Sequence, residues 1–103
     1  MSGIWVRLAA LAEFGPSRKL VRAAAGEEIL LCRSEGQVFA LSNVCTHLGQ
    51  PLAAGRLMSG QIHCPYHGAC FDIRTGTALS GPAVAPLRYF PVELRDGEVF
   101  VRI

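Results

Sequence analysis

Two short stretches, Cys45-Thr46-His47-Leu48-Gly49 and Cys64-Pro65-Tyr66-His67-Gly68-Ala69, decide how this chain folds and what it binds. Each places a thiol and an imidazole close together, as C-x-H in the first stretch and C-x-x-H in the second, and 16 residues separate His47 from Cys64. Two cysteines and two histidines form a complete set of four metal ligands, and sulfur combined with imidazole suits iron or zinc. The pattern therefore predicts a metal centre held by two loops.

The composition is that of one small globular domain. The 103 residues are 50% hydrophobic and 17% charged, and the formal net charge is +2. A charge this small does not favour nucleic acid or a membrane surface as a partner. No apolar run is long enough to span a bilayer, and the first residues do not resemble an export signal. We therefore expect a cytoplasmic protein, in which the four cysteines are metal ligands or buried thiols rather than disulfides.

Short strands separated by glycine- and proline-rich turns predict an all-β sandwich or barrel. The predicted strands cover residues 4–8, 19–23, 28–33, 37–42, 61–63, 69–73, 89–95 and 98–103. Tight hairpin turns are expected at residues 34–36 and at Asp96-Gly97. One helical turn is expected over residues 8–13, ended by a glycine and a proline, and residues 53–55 and 81–86 are expected as loops.

The paired motif resembles that of the Rieske-type [2Fe–2S] ferredoxins, in particular the ferredoxin components of bacterial aromatic-ring-hydroxylating dioxygenase systems. The run Phe71-Asp72-Ile73-Arg74-Thr75-Gly76 and the later Pro86-Leu87 match that kind of protein as well. The resemblance covers nearly the whole chain. The layout it implies is a single domain, 1–103, in which a cluster-binding subdomain of about 43–85 is inserted in a β-sandwich base built from 1–42 and 86–103.

The resemblance also implies the cofactor and its ligands. One [2Fe–2S] cluster is held by four residues, with Cys45 and Cys64 on one iron and His47 and His67 on the other. The two thiolates cancel the charge of the oxidised core, so the centre is neutral and becomes singly negative upon reduction. A centre with four thiolates starts doubly negative and accepts an electron less readily, which is why its potential is lower. The expected role is single-electron transfer, without catalysis.

Three positions differ from the pattern of respiratory Rieske proteins, which carry a second cysteine pair that joins the two loops and a serine beside the second motif. Gln50 and Tyr66 stand at the two cysteine positions here, and Ala69 stands at the serine position. A serine hydroxyl would donate to a cluster sulfide and stabilise the reduced state. Without it, we expect a potential near the low end of the range of roughly −150 to +300 mV for Rieske centres.

A low potential and a small size favour an electron carrier, and the resemblance implies a role in aromatic hydrocarbon catabolism. It would take single electrons from a flavin-dependent ferredoxin reductase and pass them to a terminal aromatic-ring dioxygenase. The chain is not expected to be the oxygenase itself, because a mononuclear iron site needs two histidines and a carboxylate, and only His63 remains beyond the two ligands. An accessory subunit of another reductase, such as the small subunit of a nitrite reductase, is the alternative function.

Other interpretations of single residues stay open at this point. A structural zinc site also uses two cysteines and two histidines, although C-x-H is an unusual zinc spacing. Cys32 is expected as a small buried apolar residue, Cys70 is not expected as a ligand because the motif is complete without it, and His63 is expected as an ordinary strand residue. Apolar residues beside the cluster are expected to form a docking surface: Leu48, Pro65, Tyr66 and Pro86.

Overall fold

The computed structural model describes residues 3–46, 49–65, 68–80 and 85–103. These residues form eleven strands and one short 3-10 helix, so the expected all-β architecture is confirmed. The strands are β1 Trp5–Ala10, β2 Lys19–Ala24, β3 Glu27–Ser34, β4 Gln37–Ser42, β5 Arg56–Met58, β6 Gln61–His63, β7 Cys70–Asp72, β8 Ala78–Ser80, β9 Tyr89–Phe90, β10 Val92–Arg95 and β11 Glu98–Arg102. Among these elements, no helix is long and apolar enough to cross a membrane.

The strands pair antiparallel in three sheets. The first sheet has the order β1-β11-β10, the second β2-β3-β4-β9 and the third β5-β6-β7-β8. The third sheet is built only from residues between 56 and 80, whereas the other two take their strands from both ends of the chain. The exact division into a cluster-binding subdomain and a base stays a prediction.

Four hairpins are closed by two-residue turns whose second residue is glycine. Both turn residues have positive φ in each case, which is the backbone of the type I′ turn that matches the twist of paired strands. The turns are Ala25-Gly26, Glu35-Gly36, Ser59-Gly60 and Asp96-Gly97. The turns at Glu35-Gly36 and Asp96-Gly97 confirm the predicted hairpins. The turns at Ala25-Gly26 and Ser59-Gly60 were not predicted, because alanine and serine before glycine are weaker turn signals than aspartate.

Strand β3 is buried on both faces and divides the interior into two apolar clusters. Ile29 and Leu31 pack with residues of the first sheet, and Leu30 and Cys32 pack with residues of the third sheet and the loops beside it. All four side chains are fully buried. This double burial explains the continuous apolar run, because successive side chains of a strand point to opposite faces.

The predicted elements differ from the structure in three places. The expected helical turn over residues 8–13 is wrong for residues 8–10, which continue β1, and only Leu11–Glu13 is helical. The expected strand over residues 89–95 is two strands, because Pro91 has no N–H to continue the ladder and the chain passes there from the second sheet to the first. The short strands β5 and β8 were not predicted.

Candidate metal centre

Cys45 and Cys64 lie just beyond the ends of two strands and point into one apolar cluster. Cys45 follows β4 after two residues, and Cys64 directly follows β6. Their exposed fractions are 1% and 3%, and both belong to the cluster that contains Leu30, Ile62 and Phe71. Two thiols that are 19 positions apart in sequence are thereby placed in the same part of the interior.

The first loop (residues 45–50) is closed by two backbone hydrogen bonds. The N–H of Cys45 donates to the carbonyl oxygen of Gln50 at 2.8 Å, and the N–H of Gly49 donates back to the carbonyl oxygen of Cys45 at 2.8 Å. Gly49 has a φ of +74°, a left-handed conformation that glycine adopts without strain. The turn therefore needs a glycine four residues after its cysteine.

The second loop (residues 64–69) repeats this frame. The N–H of Cys64 donates to the carbonyl oxygen of Ala69 at 2.7 Å, and the N–H of Gly68 donates to the carbonyl oxygen of Cys64 at 3.2 Å. Gly68 has a φ of +77°. The two loops thus share their length, both closing bonds and the left-handed glycine, although their histidines stand at different distances from the cysteine.

The supports of the two loops differ. The second loop connects β6 to β7, whose residues His63 and Cys70 pair across the ladder. The first loop returns through one isolated bridge, between Val44 and Pro51. A side-chain hydrogen bond also supports the first loop, in which the Thr46 hydroxyl donates to the Ala85 carbonyl oxygen at 2.7 Å.

His47 and His67 lie outside the described residues, as do Leu48 and Tyr66. Consistent with this, no three potential metal ligands cluster within the part of the chain that the structure describes. The described half of the ligand set fits a sulfur-ligated metal centre, because two buried thiols are presented by matching loops. Gly49, Pro65 and Gly68 at the loop surfaces are exposed, so the thiols lie just beneath the protein surface.

The other two cysteines are separate from this arrangement. Cys32 is fully buried in β3, and burial raises the pKa of its thiol to about 12. The Cys70 thiol donates to the side-chain oxygen of Gln61 at 2.9 Å and lies 3.7 Å from Nε2 of His63, and its burial also raises its pKa. Cys32 and Cys70 are not joined in a disulfide. The expectations for Cys32 as a buried apolar residue and for His63 as a strand residue are confirmed.

The structure also identifies supporting residues that the sequence analysis missed. Asn43 is buried, its backbone accepts a hydrogen bond from the N–H of Leu52 at 3.1 Å, and its side chain donates to Glu28 at 3.1 Å. Gly55 is buried against the backbone that precedes Cys64. A polar residue two positions before the cysteine of the first motif was a usable signal for Asn43, whereas nothing local marks Gly55.

Comparison with known proteins agrees with this geometry. The family model described as the Rieske [2Fe–2S] domain matches residues 4–91. The chain is 35% identical over 103 residues to ferredoxin CarAc of Metapseudomonas resinovorans, covering 98% of this chain and 95% of that protein. It is also 40% identical over 75 residues to human apoptosis-inducing factor 3, of whose length the match spans only 12%.

A solved structure gives the same result for the fold. It is described as the complex of reduced oxygenase and oxidised ferredoxin in carbazole 1,9a-dioxygenase, and the match has a TM-score of 0.89 at 33% identity. It covers 97% of this chain and 94% of the matched chain.

The fold, the two cysteine loops and these matches define a Rieske [2Fe–2S] domain, and the chain belongs to that family. Within the family it is a ferredoxin, an electron carrier with one Rieske-type cluster rather than an oxygenase. This membership replaces the zinc interpretation of the two motifs.

Proposed function

We propose that Cys45 and Cys64 hold one iron of the cluster, that His47 and His67 hold the other, and that the chain carries single electrons to a terminal aromatic-ring dioxygenase. When bound, the cluster accepts and releases one electron per cycle. The observation that carries this proposal is the matching pair of loops, each of which places a buried thiol beneath an exposed loop. The chain supplies the ligands, excludes water from the thiols and leaves the loops open to a partner.

The partners are proposed from the relatives. One relative is a ferredoxin matched over nearly its full length, and the solved structure pairs a ferredoxin with an oxygenase of the same dioxygenase system. We extend this pairing to the present chain, with a flavin-dependent ferredoxin reductase as the electron donor and the cytoplasm as the location. The sequence resemblance supports the reductase.

Docking is proposed to use an apolar rim around the loops, formed by Val44, Pro51, Pro65 and Pro86. The three prolines are exposed, and 46% of the Val44 surface is exposed. Asp72 is the only carboxylate between residues 43 and 86, and it accepts a hydrogen bond from the N–H of Arg74 at 2.8 Å. Because the rim residues themselves are uncharged, the rim favours brief contact over a small area and contributes little electrostatic steering.

Reconstituted electron transfer tests this function. The cluster-loaded protein is mixed with a flavin-dependent reductase and an aromatic-ring dioxygenase, and hydroxylated product is measured with and without the ferredoxin. We expect product only in the complete mixture. The rate should fall less than about threefold between low and physiological salt, because the rim residues carry no charge whose attraction salt could screen. Reduction of the protein by the reductase without any transfer to an oxygenase would contradict the proposal.

A rim substitution gives a sharper test of the docking site. Val44→Asp places a charge on the rim, and Leu94→Asp is its control, because Leu94 lies on β10 of the first sheet and is exposed to a similar degree, 40% against 46%. We expect about a tenfold slower transfer for Val44→Asp, equivalent to about 1.4 kcal/mol, and no change for Leu94→Asp. Both variants should keep the visible spectrum of the parent. Equal rates for the two variants would place docking elsewhere.

A further inference from the structure

Lys19 reaches from the second sheet to the segment that follows the first loop. It pairs with Cys32 across β2 and β3, so its side chain lies on the face of the sheet that packs against the loops. Its ammonium group donates to the carbonyl oxygen of Ala53 at 2.7 Å and to that of Gly55. The neighbouring Arg18 donates to the carbonyl oxygen of Leu57 at 3.0 Å.

The segment that Lys19 holds (residues 52–55) contacts the backbone beside both cysteines. The N–H of Leu52 donates to the carbonyl oxygen of Asn43, two residues before Cys45, and the N–H of Gly55 donates to that of Leu52 at 2.8 Å. Gly55 packs so closely that a Cβ there would lie 1.9 Å from the carbonyl oxygen of His63, the residue before Cys64. Lys19 is therefore two contacts away from each cysteine loop.

Within the described residues, no carboxylate forms an ion pair with Lys19. Arg7, Arg88 and Arg95 each form an ion pair with a carboxylate, and their side chains are 48%, 64% and 46% exposed. The hydrogen-bond partners of Lys19 among the described residues are neutral carbonyl groups, and the residue is half-buried. Water screens a partly buried charge less than an exposed one, so its field extends further into the interior.

We infer that Lys19 is a positioning residue for the cluster, which holds residues 52–55 and through them both cysteine loops, and that its positive charge stabilises the reduced state. The inference rests on the ligands proposed above. A cation placed beside a centre that becomes more negative upon reduction favours the added electron. Lys19 thus partly offsets the serine hydroxyl that Ala69 cannot provide.

Three substitutions separate the hydrogen bonds from the charge. Lys19→Arg keeps the charge and the donors, Lys19→Gln keeps a donor without the charge, and Lys19→Met removes both. Arg56→Met is the matched control, because it also removes one positive charge, from β5 opposite His63. Arg56 is exposed, and among the described residues its side chain hydrogen-bonds only to the sulfur of Met58, at 3.9 Å.

Redox titration of the cluster-loaded protein measures the charge effect. We expect Lys19→Gln and Lys19→Met to disfavour the reduced state by threefold to tenfold, where tenfold corresponds to about 59 mV for one electron. Lys19→Arg and Arg56→Met should stay within twofold of the parent. Parent-like potentials for Lys19→Gln, or an equal decrease for Arg56→Met, would overturn the inference.

Hydrogen exchange measures the positioning effect. The N–H groups of Leu52 and Gly55 should exchange about tenfold faster in Lys19→Met than in the parent, because the local opening that exposes them costs about 1.4 kcal/mol less. In Lys19→Arg they should exchange at nearly the parent rate. If Lys19→Met does not retain the cluster, the Gln and Arg variants still decide the question. A parent protein without a Rieske spectrum would refute the proposed function, whereas an intact spectrum with unchanged potentials and exchange rates would refute only the role of Lys19.

Discussion

The two cysteine loops have the same backbone frame but are held in different ways. The second loop closes a hairpin between β6 and β7, so the ladder fixes both of its ends. The first loop leaves β4 and returns through the isolated bridge of Val44 and Pro51. Its return segment (residues 52–55) is held from the second sheet by Lys19.

This difference shows that one loop geometry can be built from local or from distant contacts. A hairpin loop is specified by its own neighbours, because the ladder bonds are formed a few residues away. The first loop depends on residues that are more than 20 positions away in sequence, and its stability therefore depends on packing between the sheets. Substitutions at the contact between the loops and the sheets should reveal this dependence.

Gly55→Ala is expected to have the largest effect, because the added Cβ would lie 1.9 Å from the His63 carbonyl oxygen and the backbone of one loop must move. We expect the free energy of unfolding to fall by about 3 kcal/mol or more, and the thermal midpoint to fall by more than about 10 °C. Gly15→Ala is the control, since no atom of the part of the chain that the structure describes lies within 4 Å of a Cβ there. Thermal unfolding of the cluster-loaded protein, followed by its visible circular dichroism, measures both. A Gly55→Ala protein as stable as the control would contradict the close contact.

Cys32 tests whether a buried thiol outside the loops stays protonated. Its pKa is about 12 in the folded chain against 9.0 for an ordinary thiol. Below pH 9.0 the folded and the unfolded chain both keep the thiol proton. Between pH 9.0 and about 12 only the unfolded chain releases it. The free energy of unfolding therefore falls as the pH rises through this range, by about 1.4 kcal/mol per pH unit. Cys32→Ala should lose this slope and keep the cluster. Chemical unfolding at several alkaline pH values measures the free energy of unfolding of the parent protein and of Cys32→Ala. The same dependence on pH in both proteins would contradict the prediction.

Gly49→Ala and Gly68→Ala test whether the two frames are equivalent. Both glycines have positive φ, and no atom of the described residues lies within 4 Å of a Cβ at either position, so backbone strain is the expected cost of the substitution. We expect the free energy of unfolding of each variant to fall by about 1 kcal/mol, and the two decreases to agree within about 0.5 kcal/mol. Denaturant midpoints provide the measurement. Losses that differ by more than about 2 kcal/mol would show that the frames are not equivalent.

Thr46→Val should have the smallest effect and should affect the first loop alone. It removes the hydroxyl that donates to the Ala85 carbonyl oxygen, while the side chain keeps its shape. Because this hydrogen bond is partly open to water, we expect the free energy of unfolding to fall by about 0.5 to 1 kcal/mol. Exchange of the Gly49 N–H should become faster and that of Gly68 should not. Equal changes at both glycines would mean that the bond does not support the first loop specifically.

The sequence predicted most of the strands and the character of the site, for identifiable reasons. Alternating or continuous apolar runs and the Asp96-Gly97 turn predicted β3, β4 and β11 with errors of one residue at most. The short strands β5 and β8 could not be predicted, because three residues carry no clear periodicity and their pairing depends on β6 and β7. Gly55 and Lys19 gave no local signal, since their roles arise from contacts between distant segments.

The central claim is that two thiolates hold one iron and two imidazoles hold the other. It is tested most directly by electron–nuclear double resonance of the reduced protein, which detects nitrogen nuclei bound to the iron. We predict two strongly coupled nitrogens in the parent protein and the loss of one in each of His47→Ala and His67→Ala, with both retained in His63→Ala. A reduced spectrum without strongly coupled nitrogen, or a His63→Ala variant that loses one, would contradict the account.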